Sequence, residues 1–314
     1  MSELDQAVET VVSRCLGVRE RERFVVVADS GTRAIGDALQ AAAARRGAEA
    51  VLTVMEPRAQ HAQEPPDAVA AALLTADAFV APTTKSLSHT RARKAATDAG
   101  ARGATLPGVT EDMLGRLMAG DLDALRERSR RIAQLLTDAG EARVTTRTGT
   151  DLTLDLSGRT GIPDDGDLTA RSAFGNLPCG EGFIAPLNGE GRMATGSLAG
   201  IGLPRGEPPL LTIEGGRLTD ATQPEGEALL AALRAAGDLG TNVAELGVGT
   251  NERATLTGNV LEDEKILGTV HIAFGASAAI GGTVSVPVHL DCVILEPTLD
   301  IGGTRVLEEG RYVL

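Results

Sequence analysis

The chain has 314 residues and carries 30 Lys+Arg against 43 Asp+Glu, a formal net charge of −13, with 42% hydrophobic residues. That balance excludes wholesale disorder, and net acidity with 2% aromatics and no Trp excludes a nucleic-acid binder built on basic runs or stacking rings. No apolar stretch is long enough to span a bilayer. Acids at Met1–Asp5 stand where a secretory signal is basic, and Cys15, Cys179 and Cys292 are too scattered for a disulfide frame, so a reducing cytoplasm is expected.

Helical and strand patterns alternate through the first part of the chain. Glu3–Leu16, Thr32–Arg46, Asp67–Leu74 and Thr90–Ala99 have helical spacing. Between them lie the β-branched or apolar runs Arg23–Ala28, Ala50–Val54, Ala78–Ala81 and Ala104–Leu106. Such alternation predicts parallel βαβ units with helices on both faces of the sheet, a doubly wound region over 1–140. Two consecutive helices, Thr110–Met118 and Leu122–Ala139, close it.

From Arg143 the pattern turns to strands and turns. Val144–Arg147 and Asp151–Leu156 predict a hairpin around Thr148–Thr150, and Ile213–Leu218 another. A helix is expected at Gly226–Ala236. Strands are expected at Asn242–Gly247, Thr269–Phe274, Val284–His289 and Cys292–Glu296, with a closing hairpin over Asp300–Leu314. The fold class is therefore α/β, with a β-rich α+β domain over 141–314.

Chemistry concentrates in that second half. His289 and Asp291 are two apart, so on a strand they share a face, and His271 lies in a neighbouring strand pattern. Glu181 and Glu245 are lone carboxylates in apolar settings, which are costly to bury without a cation. Each fits a satisfied core-edge or solvent-facing side chain equally well. Together they form a His/carboxylate set that suits Zn, Mn, Co or Fe.

The segments Asn176–Pro186, Ala244–Asn251, Leu261–Gly275 and Val288–Pro297 resemble the metal-binding segments of the aminopeptidase T family, most of all its shorter relatives. The resemblance spans most of 80–300. It implies metal ligation by Glu181, Glu245, His271, His289 and Asp291, with metal-bound water attacking an N-terminal peptide bond. It also implies a homodimer. The aminopeptidases carry a Tyr seven residues after the His of the His271 segment; here that residue is Ala278, and the single Tyr312 is in the terminal hairpin.

The same half resembles 2,5-dihydroxypyridine 5,6-dioxygenase, an Fe(II) ring-cleaving enzyme with a 2-His-1-carboxylate triad. That resemblance implies iron at His289 and Asp291, with His271 able to complete the triad. Glu181 and Glu245 favour the hydrolase.

In the first half, Thr83–Lys94 follows the third strand. Ser88 or Thr90 caps the next helix, and His89, Lys85 and Arg91 are candidates for a substrate carboxylate or for acid–base work in a cleft between domains; a solvated surface helix is the plainer alternative. Glu262 or Glu264, just before His271, are candidates to support a ligand or act as general base, with a solvated turn as the alternative, and Asp164, Asp165 and Asp167 read as an exposed acidic loop, with a hard cation bound there as the lesser alternative. No GxGxxG or P-loop supports nucleotide use.

The sequence thus predicts a metal-dependent hydrolase of an amide or peptide bond in a small substrate, with carboxylate-bearing substrates among the candidates. One or two ions (Zn, Co or Mn) are expected, with Glu245, His89 and Glu264 as catalytic groups. Fe(II)-dependent ring cleavage and a non-catalytic, metal-stabilised binding protein are the alternatives.

Overall fold

The alternating pattern of the first part builds a parallel sheet. In a computed structural model, which describes residues 2–314, helix α1 (Glu3–Thr10) runs on through a π-turn at Val11–Cys15. Then come β1 (Arg23–Asp29), α2 (Arg33–Arg45), β2 (Glu49–Met55), α3 (Asp67–Leu74), β3 (Ala78–Thr83), α4 (Arg91–Asp98), β4 (Arg102–Pro107) and α5 (Glu111–Met118). Every helix and strand expected there is present, within about two residues of its predicted ends. β1 and β3 are buried at nearly every position because helices cover both faces, which explains their unbroken apolar runs.

The chain divides into two compact units, Met1–Leu122 with Gly166–Cys179, and Asp123–Asp165 with Gly180–Leu314. A single crossing near 141 is therefore not what the structure has. Helix α6 (Leu122–Asp138) leads into the second unit, followed by β5 (Glu141–Thr145), β6 (Asp151–Asp155) and β7 (Ile162–Asp164). The chain then returns to the first unit for β8 (Phe174–Asn176), which pairs parallel with β4 and completes a five-stranded sheet of order β2-β1-β3-β4-β8. Three residues of irregular Gly-containing backbone gave no strand signal there.

The second unit continues with β9 (Glu181–Ile184), β10 (Asn188–Ala194), β11 (Ser197–Leu198), β12 (Leu210–Glu214), β13 (Arg217–Ala221), α7 (Gln223–Ala235) and β14 (Val243–Gly249). It ends with α8 (Val260–Asp263), β15 (Val270–Gly275), β16 (His289–Ile294), β17 (Thr298–Ile301), β18 (Thr304–Glu308) and β19 (Arg311–Tyr312). Two sheets result, an eight-stranded one of order β13-β12-β10-β6-β5-β17-β18-β19 and a six-stranded one of order β11-β16-β15-β14-β9-β7. Both send apolar side chains into one core, which α6 joins through Ile132 and Leu136 and α7 through Leu229 and Leu233. The strand expected at Val284–His289 begins only at His289: Pro287 has no N–H for a ladder, and the Val284 amide turns to Ser277 Oγ.

Candidate metal centre

The six-stranded sheet has two chemically different faces. Ile272 and Phe274 of β15, Leu246 and Val248 of β14, Cys292 and Ile294 of β16 and Ile184 of β9 enter the core. The alternate residues form the opposite face, and the register lines them up. Asp291 pairs with Ala273 and Ala273 with Glu245; His271 pairs with Gly247, Glu181 with Gly249 and His289 with Gly275. Directly paired residues point to the same side. All five sequence-predicted ligands therefore stand on one face of four adjacent strands, with Gly and Ala between them to leave room. Gly247 is the clearest case, since a Cβ there would lie 2.0 Å from His271 Nε2.

The donors gather as two overlapping groups, Glu181–Glu245–His271 and Glu245–His289–Asp291, and within each the ligand atoms lie within 4.8 Å of one another. His271 Nε2 is 3.1 Å from Glu181 Oε2 and 3.4 Å from Glu245 Oε1. His289 Nε2 is 3.3 Å from Glu245 Oε2 and 3.5 Å from Asp291 Oδ1. The His289 Nδ1–H donates to the Ala276 carbonyl at 2.7 Å, so its Nε2 faces the carboxylates. Glu181 Oε2 is buried with no hydrogen-bond partner among the described residues. A buried, unsatisfied carboxylate oxygen beside two imidazoles and two further carboxylates fits a divalent cation.

Lys265 closes the buried end of this cluster. It is 1% exposed, and its Nζ lies 2.6 Å from Glu181 Oε1, 2.7 Å from Glu264 Oε1 and 3.4 Å from Asp164 Oδ2. Burial pushes the Glu181 carboxyl up, but Lys265 and His271 outweigh it and hold it at about 2. Asp291 is held at about 2, burial being outweighed chiefly by His289. For Glu264 and Asp164 burial wins over Lys265, raising them to about 8 and about 7. Burial opposes the charge of both imidazoles, yet the facing carboxylates hold both well above the usual histidine range.

Not every candidate is brought here. Glu264 reaches the cluster through Lys265, whereas Glu262 turns away and accepts from the Thr255 amide and hydroxyl at 2.7 and 3.0 Å. The acidic loop is not all exposed: Asp164 contacts Lys265, Asp165 is buried against Arg130 at 2.6 Å, and Asp167 alone of the three is exposed. His89 belongs to the first unit, exposed on the turn before α4, where Thr90 rather than Ser88 accepts from the Arg93 amide. Ala278 lies in a short 3-10 turn and Tyr312 in β19. Lys265 was missed, and Asp164 was read as part of an exposed loop. The available signal was a lysine followed directly by Ile266 and Leu267, a setting less like a solvated turn than its acidic neighbours suggest.

Among the described residues no helix is long and apolar enough to cross a membrane. No curated protein matches the chain. Among solved structures, the 2,5-dihydroxypyridine dioxygenase from Pseudomonas putida KT2440 is 21% identical with a TM-score of 0.82, over 100% of this chain and 98% of that one. Wild-type AmpT from Thermus thermophilus, an aminopeptidase T, is 19% identical with a TM-score of 0.73, over 99% of each chain. These likenesses show a shared fold, with the parallel sheet and the antiparallel sheets expected of it. The family model described as 2,5-dihydroxypyridine 5,6-dioxygenase matches residues 3–196, and the chain belongs to that family.

Proposed function

We propose that the protein is a metal-dependent hydrolase acting on an amide or peptide bond of a small substrate. One observation carries this reading: each three-donor group combines one imidazole with two carboxylates, and among the described residues none combines two imidazoles with one. An oxygen-rich set with a single nitrogen suits Zn, Mn or Co, whereas Fe(II) oxygenases use two His and one carboxylate. A bound divalent ion supplies Lewis acidity toward a carbonyl oxygen and lowers the pKa of water. Glu245 presents one oxygen to His289 and the other to His271, so it is placed both to help hold the ion and to accept a proton. His271, between Glu245 and Glu181, fixes the orientation of both carboxylates. Glu264, which reaches the cluster through Lys265, completes the proposal as a proton-handling group; His89, on the first unit, is proposed only as a group for acid–base work in its own right.

Family membership favours a second reading, ring cleavage by Fe(II) and O2. Chelation followed by reconstitution separates the two. The hydrolase reading expects Zn-, Mn- or Co-loaded protein to cleave aminoacyl amides without oxygen, and His289→Ala to lose both ion and activity. Oxygen uptake with an Fe(II)-loaded protein and a dihydroxylated ring, with no amide cleavage under any metal, overturns it in favour of the dioxygenase.

A further inference from the structure

Lys265 is the buried lysine among the described residues, and the backbone is shaped to bring it in. Its carbonyl accepts from the Asn251 amide at 2.9 Å, and Gly249 lets the Lys265–Ile266 backbone lie against β14, where a Cβ would come 2.1 Å from the Ile266 carbonyl oxygen. The ammonium ends among Glu181, Glu264 and Asp164, three carboxylates from three separate stretches of chain. An ammonium surrounded in this way is held as a metal ion is held, by convergent carboxyl oxygens, with Glu181 as the one kept ionised beside it.

We infer that the Lys265 ammonium takes the place of a second divalent ion beside Glu181, so that the centre holds one ion per chain, at Glu245, His289 and Asp291. The inference rests on the proposal that the centre binds a divalent ion. Three observations lead to it. Glu181 commits Oε1 to Lys265 at 2.6 Å, so an ion in the Glu181–Glu245–His271 group would sit one carboxylate away from a fixed positive charge in a dehydrated setting, where like charges repel strongly. The two imidazoles are also held differently. His289 has its Nδ1–H on a backbone carbonyl, the arrangement that orients a ligating histidine, while His271 Nδ1 is buried without a partner among the described residues. Finally, the His289 side chain is 29% exposed, within reach of a substrate, whereas those of His271 and Glu181 are sealed at 1% and 9%. On this account His271 is a positioning residue, bridging Glu181 to the ligand Glu245.

The test is metal stoichiometry on the demetallated full chain, dialysed against Mn2+, with the bound metal counted and its spin-resonance spectrum recorded. The expected result is one Mn2+ per chain with an isolated-ion spectrum. Two ions per chain with an exchange-coupled spectrum overturn the inference while leaving the metal reading intact; no bound ion overturns the metal reading itself. Glu181→Gln is expected to keep one ion at saturation and Asp291→Asn to lose it, and loss of the ion in Glu181→Gln overturns the assignment. Lys265→Met is expected to take up a second ion, and a folded variant that still holds one overturns the exchange of ammonium for ion. Since that variant leaves the buried Glu181 charge without its ammonium and folding is at risk, Glu181→Gln decides independently.

Discussion

The imidazole of His271 stands where a strand neighbour has given up its side chain. Gly247 is paired with it across β14 and β15, and a methyl group there would collide with the ring. Gly247→Ala is therefore expected to force the ring off its two carboxylates and to destabilise the chain by about 1–3 kcal/mol, the usual cost of overpacking. A lowered guanidinium midpoint together with displaced His271 ring signals in NMR would verify it; an unchanged midpoint counts against the packing described. At this scale much of the site was legible. The His289–Asp291 spacing dictates a shared face on any strand, and lone glutamates in apolar runs signal a buried cation. The Lys265 contacts were not legible, because Asp164, Glu181 and Lys265 meet only through the pairing of β7 with β9 and the docking of the turn after α8. No spacing along the chain encodes that meeting.

Strands β14, β15 and β16 do two jobs with one alternation. From Glu245 onward their odd-numbered residues are the donors with Gly, Ala and Val293 beside them, and their even-numbered residues fill the core. The faces are expected to respond separately. Ile272→Ala is expected to cost about 2–5 kcal/mol of stability by opening a cavity, with metal stoichiometry unchanged. Ala273→Leu, in the row between Asp291 and Glu245, is expected to abolish ion binding, with calorimetry and metal analysis on both variants as the check. Burial of both faces is also why these strands were legible only as apolar runs, while the site face had to be recognised by its exceptions. The short strands β7, β8 and β9 escaped because Gly or Pro interrupts them, and β11 because it is two residues long, and their partners lie far along the chain.

Across the whole molecule the net charge of −13 leaves many carboxylates whose ion pairs set acid tolerance. In the first unit, Glu22 is partly buried, which pushes its carboxyl up, but hydrogen bonds from Arg102 hold it below the usual glutamate range. A carboxyl depressed in the folded state stabilises the fold above its unfolded value, about 4.3, and that contribution is lost as the pH falls through the folded value. The melting temperature is thus expected to fall more steeply below about pH 4 in the native protein than in Arg102→Met, which lacks this linkage. Parallel acid melting curves for the two proteins would contradict it.

The return of the chain to β8 has a consequence for biosynthesis. The first sheet takes its last strand from Phe174–Asn176, after all of α6 through β7 has been made for the other unit. On the ribosome, β4 therefore waits with an open edge while roughly sixty further residues emerge, a few seconds at ordinary translation rates. Such an edge is open to pairing with other chains. The segment that ends this exposure is followed at once by Gly180 and Glu181, so closing the first sheet and delivering the carboxylate that holds Lys265 are consecutive events in the growth of one nascent chain.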